Sequence, residues 1–259
     1  MNNNRNWALI TGATSGIGLE LSRLFAKDGY NLILVARNKN KLEQVKDELS
    51  HLSIEVIVFP CDLSQEEQVL HLCEKILDLE LEIEVLINNA GAGKFGSLVE
   101  TDITSSLETI HLNVTSLTLL TQVFAKKMVE KNRGHILLVS STAAFGPDAG
   151  LNVYGPTKAY VYNFAQTLRA ELSQTNVYVS CVCPGPTKTN WSKNAGRKDS
   201  SWAMEARKVA EITYRGFQKK RTLIIPGLGN KFLFGLSCII PDSWIGMVTS
   251  SFQNRLKKD

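Results

Sequence analysis

A chain of 259 residues is long enough for one large domain or two small ones. Hydrophobic residues make up 44% of it and charged residues 21%, so a folded core is expected and wholesale disorder is excluded. The 29 basic and 25 acidic side chains leave a net charge of +4, and the longest basic run is only Lys219-Lys220-Arg221. A nucleic-acid partner is therefore not expected.

The cysteines and the N-terminal residues bear on the cellular compartment. Five cysteines is an odd number, and no second Cys or His pair accompanies Cys181 and Cys183, so we expect reduced thiols and no metal site. Residues 1–5 lack the apolar segment of a signal peptide, and no stretch approaches the roughly 18 apolar residues of a membrane span. These features favour a cytoplasmic protein.

Short apolar runs alternate with helical patterns along the chain. Strands are predicted at 7–10, 32–36, 54–59, 83–87, 135–140, 177–182 and 222–225. Helices are predicted at 19–27, 40–49, 64–77, 104–130 and 153–172. Strand–helix alternation indicates parallel strands, and nearly all-apolar strands indicate a sheet covered on both faces. We predict one α/β domain over 1–259, with a doubly wound, Rossmann-type, mostly parallel seven-stranded sheet and helices on both faces.

Two segments depart from this rhythm. Residues 186–215 are mostly polar with little strand signal and follow the sixth strand, which is where a substrate lid would lie. Residues 227–259 form an apolar tail that ends near Lys257-Lys258, and its apolar stretch before Pro241 is too short to span a bilayer. We favour packing of the tail against the lid or a neighbouring subunit; a membrane-surface helix and disorder remain the alternatives.

Polar and glycine-rich segments follow six of the predicted strands. In chain order they begin at Thr11, Arg37, Asp62, Asn88, Ser140 and Pro184. The carboxyl ends of parallel strands lie at one edge of a sheet, and ligands of open α/β sheets bind there. The sequence therefore predicts one binding site along this edge.

The turn after the first strand carries Gly12, Gly16 and Gly18. Glycine lets backbone approach a pyrophosphate, and the N-terminus of the following helix offers unpaired N–H groups. This spacing favours a dinucleotide loop. The alternative is a turn that needs glycine only for tight packing.

The residues after the second and third strands bear on the cofactor. Position 36 is alanine, so no carboxylate is present there for the ribose hydroxyls of NAD, whereas the Arg37 guanidinium can hold a 2′-phosphate. The alternative for Arg37 is a solvated loop side chain. Asp62 can accept from an adenine amino group, or it can cap the next helix in competition with Ser64.

Tyr154 and Lys158 lie four residues apart at a predicted helix start, so they share one helix face. A free phenol has a pKa near 10, and an ammonium within about 4–6 Å lowers it. Ser141, thirteen residues before Tyr154, would orient a substrate oxygen, whereas Ser140 points to the opposite face of its strand. The alternative is a surface Tyr–Lys pair beside a strand-end serine.

Over roughly residues 6–190 these motifs resemble the NADP-preferring branch of the short-chain dehydrogenase/reductase family. The resemblance implies a catalytic tetrad of Asn113, Ser141, Tyr154 and Lys158. It implies cofactor contacts at Gly12, Thr14, Ser15, Gly16, Ile17, Gly18, Arg37, Asn38, Asp62, Leu63, Asn89, Ala90, Gly91, Tyr154, Lys158, Pro184, Gly185, Thr187 and Thr189. Ser15 stands where many NADP-binding members carry a basic residue, so Arg37 carries the 2′-phosphate preference largely alone.

By this resemblance, hydride moves between NADP(H) and a carbonyl or secondary alcohol substrate. Tyr154 is the general acid or base, Lys158 lowers its pKa and holds the nicotinamide ribose, Ser141 binds the substrate oxygen, and Asn113 bulges its helix and holds a water. The family also implies a homodimer or homotetramer.

Apolar side chains near the predicted site favour a lipophilic or acyl ketone as substrate. The positions concerned are Phe95, Phe145, Gly146, Trp191 and Trp202. The alternative function is a non-catalytic NADP(H)-binding sensor or scaffold, although such proteins usually lack the Tyr or the Lys.

Overall fold

The computed structural model describes residues 6–254, without the side chains of 248 and 250–254. Its strands are β1 (Trp7–Thr11), β2 (Asn31–Ala36), β3 (Val56–Pro60), β4 (Ile83–Asn88), β5 (Gly134–Val139), β6 (Val177–Val182), β7 (Thr187–Lys188), β8 (Met204–Glu205) and β9 (Leu223–Ile224). Its helices are α1 (Gly16–Lys27), α2 (Lys39–Leu49), α3 (Glu66–Leu77), α4 (Ile103–Ile110), α5 (Ser116–Glu130), α6 (Tyr154–Glu171), α7 (Asn190–Ala195), α8 (Ala206–Gln218), α9 (Leu228–Ser237) and α10 (Asp242–Asn254).

The central sheet has seven strands in the order β3-β2-β1-β4-β5-β6-β9, and every neighbouring pair is parallel. This confirms the predicted seven-stranded, Rossmann-type fold. The strand order reverses between β1 and β4, which is where ligands bind in open α/β sheets. A separate parallel pair, β7 with β8, was not predicted, because two-residue strands are too short to show a sequence period.

Alternate residues of each strand supply two hydrophobic cores. Leu9 and Leu86 pack on one face of the sheet, beneath α3, α5 and α6. Ala8 and Ile10 pack on the other face, beneath α1, α2 and α8. Both faces are therefore covered, which explains why the strands are apolar throughout.

The predicted 104–130 helix is divided into α4 and α5 by a π-helical turn, His111–Thr115. Asn113 lies in this turn and is fully buried. A π-turn adds one residue to a helical turn without changing the apolar composition, so hydrophobic spacing alone does not reveal it.

The lid predicted at 186–215 extends too far, because its last ten residues belong to α8. This helix packs against α1 and buries Val209, Ala210 and Tyr214, so 206–215 belongs to a core layer rather than to a cover. The segment between β6 and α8 is thus limited to 183–205, with α7 between β7 and β8.

The apolar tail forms two helices, α9 and α10, as far as residue 254. Among residues 6–254, no helix is long and apolar enough to cross a membrane. Lys257 and Lys258 lie outside the described residues.

Candidate active site

The glycine turn joins β1 to α1 at the strand-order reversal. Gly12 and Gly16 adopt positive φ angles of 65° and 55°, a region that favours glycine. Ser15 is the N-cap of α1, but its side chain does not cap the helix. The Ser15 side chain therefore does not occupy the N–H groups of the first turn of α1. A helix N-terminus that binds an anion needs such uncapped N–H groups.

Close packing leaves no space for a side chain at Gly18. A Cβ at this position would lie 2.3 Å from the Gly12 carbonyl oxygen and 2.4 Å from Asn89 Nδ2. Tight packing between the turn and β4 therefore requires glycine at position 18.

Asn89 fixes the turn to β4. Its Nδ2 donates to the carbonyl oxygens of Thr11 (2.9 Å) and Gly12 (3.3 Å). The Thr11 hydroxyl in turn accepts from the N–H groups of Asn89 and Ala90, both at 3.0 Å. Sequence reasoning placed Thr11 at the start of the glycine turn but gave it no role, because its contacts with residues 89 and 90 are distant along the chain.

Two adjoining cavities lie at this edge of the sheet, with volumes of about 540 and 860 Å³. The residues that line both are Gly12, Ser15, Ala90, Gly91, Asn190, Trp191 and Asn194. We name them after the predicted residues that line them: the first, with Tyr154 and Lys158, is the catalytic cavity, and the second, with Arg37 and Asp62, is the nucleotide cavity.

Most of the predicted site residues line one cavity or the other. In the catalytic cavity these are Gly12, Ser15, Gly16, Ile17, Asn89, Ala90, Gly91, Ser141, Tyr154, Lys158, Pro184, Gly185, Thr187 and Thr189. In the nucleotide cavity they are Gly12, Thr14, Ser15, Arg37, Asn38, Asp62, Leu63, Ala90 and Gly91. Gly18, Asn113 and Phe95 line neither cavity.

Arg37 lies at the nucleotide cavity with an exposed side chain. Asn38 also lines it, but its Oδ1 caps α2 by accepting from the Lys41 N–H at 3.0 Å. Lys41 lines the same cavity one turn into the helix and was missed, because a lysine on a polar helix carries no distinctive pattern. Lys94 and Lys193 line the cavity as well, so Arg37 is one of four basic residues there.

Asp62 forms a local turn at the nucleotide cavity. Its Oδ1 accepts from the Ser64 N–H at 3.0 Å and from the Ser64 hydroxyl at 2.8 Å. The next helix, α3, begins at Glu66 with Gln65 as its N-cap, so neither Asp62 nor Ser64 is its cap residue.

Ser141, Tyr154 and Lys158 meet at one wall of the catalytic cavity. Lys158 is 3% exposed, its Nζ lies 5.7 Å from the centroid of the Tyr154 ring, and it donates to the Val139 carbonyl at 2.8 Å. Ser141 Oγ accepts from the Ala143 N–H at 3.1 Å. Ser140 instead donates to the Lys158 carbonyl at 2.7 Å and so holds α6 against β5.

Burial dominates the acid–base behaviour of this wall. It raises the pKa of Tyr154 to about 12, while the hydrogen bond from Ser141 and the charge of Arg197 act to lower it. Burial lowers the pKa of Lys158 to about 8. The expected lowering of the Tyr154 pKa by Lys158 is therefore not the leading effect, since the ammonium faces the ring and bonds Val139.

Asn113 connects α6 to the loop after β4. Its Nδ2 donates to the Ala92 carbonyl at 2.8 Å and to Thr157 Oγ1 at 2.9 Å, and its Oδ1 accepts from the Ala92 N–H at 3.0 Å. A Cβ at Gly91 would lie 3.0 Å from Lys158 Nζ and 3.2 Å from Asn113 Oδ1, so this glycine is required where the two side chains converge.

Helix α7 lies over the glycine turn. Thr189 is its N-cap, with Oγ1 accepting from the Trp191 N–H at 3.2 Å. A Cβ at Gly16 would lie 2.8 Å from Thr189 Cγ2, so the glycine turn and the start of α7 are in close contact. Trp191 packs on Tyr154 with ring centroids 4.7 Å apart.

The apolar tail lines the far side of the catalytic cavity, whereas the sequence analysis favoured only packing against the lid or a neighbouring subunit. Phe234 of α9 packs on Phe145 at 4.5 Å between ring centroids. Ile245 of α10 lies against Gly146, where a Cβ would be 2.9 Å from Ile245 Cγ2. The tail residues at this cavity are Asn230, Leu233, Phe234, Leu236, Ser237, Ile240, Trp244, Ile245 and Thr249.

Residues 6–200 match the family described as short chain dehydrogenase. The chain belongs to this family. The NADP-dependent 3-hydroxy acid dehydrogenase YdfG of Salmonella typhi is 35% identical over 68% of this chain and 71% of its own length.

Solved structures of this family match across most of the chain. A short-chain dehydrogenase from Sphingobium yanoikuyae in complex with NADPH is 32% identical, with TM-score 0.82, over 91% of this chain and 96% of its own. The bulky-bulky ketone specific alcohol dehydrogenase from Comamonas testosteroni is 30% identical, with TM-score 0.79, over 92% and 96%. A short chain dehydrogenase/reductase from Burkholderia phymatum in complex with NAD is 25% identical, with TM-score 0.82, over 91% and 94%. The protein is thus an oxidoreductase of the short chain dehydrogenase type.

Proposed function

We propose that this short chain dehydrogenase transfers hydride between NADP(H) and a carbonyl or secondary alcohol, and that it reduces a lipophilic or acyl ketone. The observation that carries the proposal is the meeting of Ser141, Tyr154 and Lys158 at one wall of a cavity that also touches the glycine turn. One side of a substrate carbonyl can then face the proton donor while the other faces the cofactor site.

The catalytic steps follow from the positions of these side chains. When bound, NADPH supplies the hydride that reduces the carbonyl carbon. The Tyr154 hydroxyl donates a proton to the carbonyl oxygen, and Ser141, which hydrogen-bonds Tyr154, holds the same oxygen. The buried Lys158 ammonium, 5.7 Å from the tyrosine ring, stabilises the phenolate that remains. Asn113 positions α6 through Thr157, one turn from Tyr154.

Two basic side chains support NADP(H) rather than NAD(H) as cofactor. Arg37 and Lys41 line the nucleotide cavity, and residue 36 at the end of β2 is alanine rather than an acid. A 2′-phosphate carries the charge that a guanidinium and an ammonium bind, while a ribose diol gains less from them. The glycine turn and the N-terminus of α1 suit the pyrophosphate.

The lining of the catalytic cavity supports a lipophilic substrate. Its walls are largely aromatic or aliphatic, contributed by Phe145, Leu151, Trp191, Trp202, Leu233, Phe234, Ile240 and Ile245. Apolar walls with few polar groups bind apolar ligands and exclude water from the reacting carbonyl.

We further propose a cytoplasmic homodimer or homotetramer. All five cysteines are free thiols, in keeping with a reducing compartment. Helices α9 and α10 and the turn between them expose large apolar side chains, among them Phe232 (69% exposed), Ile239 (83%) and Met247 (65%). This exposure supports a subunit contact there.

A cofactor titration tests the nucleotide assignment. NADPH should bind about tenfold or more tightly than NADH, since a charge-assisted hydrogen bond contributes about 1.5–3 kcal/mol. Arg37→Ser should remove most of the difference, while the same change at exposed Arg207 on α8 should leave it intact. Equal affinities of the wild-type protein for both cofactors would contradict the NADP(H) assignment.

A matched pair of tyrosine variants tests the chemistry. Tyr154→Phe keeps the ring but removes the proton, so turnover of NADPH with a panel of ketones of graded chain length should fall by about 10²–10⁴. Tyr160→Phe makes the same change on the same helix, where the hydroxyl bonds Thr118 at 2.8 Å, and should retain turnover. Near-normal turnover by Tyr154→Phe would refute the assignment. NADPH binding by wild-type protein with no turnover on any ketone would favour the sensor alternative.

A further inference from the structure

Arg197 is carried to the catalytic cavity by the C-terminal cap of α7. Gly196 ends the helix in the left-handed region with φ 84°, and its N–H donates to Lys193. The Arg197 N–H donates to the Ser192 carbonyl at 3.0 Å, which completes a Schellman motif and turns the chain back over the helix. Arg197 is only 7% exposed and lines the catalytic cavity.

Arg197 and Tyr154 both contact Trp191. The Arg197 Cζ lies 5.3 Å from the centroid of the Trp191 ring. Trp191 also packs against Tyr154, with ring centroids 4.7 Å apart and planes at 49°. Gly93 supports the tyrosine, since a Cβ there would lie 2.8 Å from Tyr154 Cδ2. A guanidinium over an indole face is a cation–π contact, so Arg197 holds Trp191 in place.

Charged groups of both signs face these side chains. Arg197 and Asp148 line the same cavity, and their charges act on Tyr154 in opposite directions, Arg197 lowering and Asp148 raising its pKa. Asp148 and Asp199 also stabilise the charge of Arg197. The other groups that face Tyr154 are Lys158 on its own helix, Ser141 after β5 and the Cys183 thiol after β6.

We propose that Arg197 and Asp148 are positioning residues for Tyr154: Arg197 holds Trp191 against the tyrosine ring, and the two opposite charges tune the acid–base behaviour of its hydroxyl. The proposal rests on the proposed role of Tyr154 as proton donor. Arginine stays ionised even when buried, and charges interact more strongly near buried groups than in bulk water. Lys158 alone does not set the acid–base behaviour of the Tyr154 hydroxyl, because its ammonium donates to the Val139 carbonyl.

The pH profile of the holoenzyme tests the pair. We expect the inflection in kcat/KM for oxidation of an uncharged secondary alcohol with NADP+ to rise by about one pH unit in Arg197→Met. It should fall in Asp148→Asn and return close to the wild-type value in the double variant. Arg197→Lys keeps the charge and should remain nearer to wild type than Arg197→Met. Arg207→Met removes the same charge from an exposed site on α8 and should not move the inflection.

A readout independent of turnover separates this proposal from the proposed function. Tyrosine labelled at Cζ is followed by NMR with NADP+ bound, and the Tyr154 signal is assigned by its loss in Tyr154→Phe. Displacement of its titration in opposite directions by Arg197→Met and Asp148→Asn supports the proposal even if Tyr154→Phe were to retain turnover. An unmoved titration overturns it.

Two further outcomes also decide the matter. If Arg197→Met raises KM for carboxylate-bearing ketones only and leaves the pH profile unchanged, Arg197 anchors substrate and the proposal is wrong. If Arg197→Met does not fold, the Asp148→Asn and Arg197→Lys profiles decide it, because Asp148 lies on a half-buried loop outside the cores.

Discussion

Replacing Asn113 by alanine perturbs the π-turn and the start of α6 together. The amide joins the Ala92 backbone by two hydrogen bonds and Thr157 by a third, and Thr157 Oγ1 in turn donates to the Tyr154 carbonyl at 2.7 Å. Asn113 is fully buried, whereas Ala92 is exposed. The change therefore removes three hydrogen bonds without a protein group to replace them.

The expected loss of stability follows from those partners. Each hydrogen bond contributes about 0.5–1.5 kcal/mol net, which gives about 1.5–4.5 kcal/mol for three. Water can reach the Ala92 backbone, and Thr157 keeps its bond to the Tyr154 carbonyl, so the lower part of this interval applies. We expect Asn113→Ala to lose about 2 kcal/mol in the free energy of unfolding. Turnover should fall as well, because the first turn of α6, which carries Tyr154, loses its hydrogen bond to Asn113 through Thr157.

Denaturant unfolding and ketone reduction by the same preparation test this expectation. Asn31→Ala is the matched control, since it removes a buried amide whose Oδ1 accepts from the Glu55 N–H at 2.9 Å at the opposite edge of the sheet. The control should lose about 1 kcal/mol and keep its turnover. Unfolding of Asn113→Ala at the wild-type denaturant concentration would refute the reasoning. So would equal losses of turnover in the two variants.

Two further predictions concern acid stability and the tail. Burial lowers the pKa of His135 from 6.5 to about 3. Between these values the unfolded chain binds a proton that the folded chain does not, so stability should fall by up to about 1.4 kcal/mol per pH unit as the pH drops below 6.5, with no effect above it. His135→Gln should flatten that slope in denaturant titrations, and parallel slopes would contradict the assignment. A chain ending at Pro226 lacks α9 and α10 and should form a smaller assembly, or aggregate, in light scattering after size exclusion. If it keeps the full-length mass and loses only liposome binding, the tail is a membrane-surface element instead.

Sequence periodicity was sufficient for the seven strands of the central sheet and for the helices between the first six of them. Each of the seven predicted strands overlaps an observed strand, because strands buried on both faces are apolar runs bounded by glycine and polar turns. The placement of Tyr154 and Lys158 on one helix face was also available, since four-residue spacing fixes it in any α-helix. The catalytic and cofactor roles of these residues stay predictions until the variants are measured.

What the sequence by itself determined is local or periodic: the apolar strands, the glycine turn, the helix that carries Tyr154 and Lys158, and their common edge of the sheet. Tertiary structure alone decided which distant groups surround them. Lys41 reaches the nucleotide cavity from α2, Arg197 stacks on Trp191, and α9 with α10 closes the catalytic cavity. Tertiary structure also decided the direction in which the Tyr154 pKa is shifted. Burial raises it to about 12 although a lysine lies one turn away. The physical reason is that burial and electrostatic fields depend on distances in space, and separation along the chain does not encode those distances.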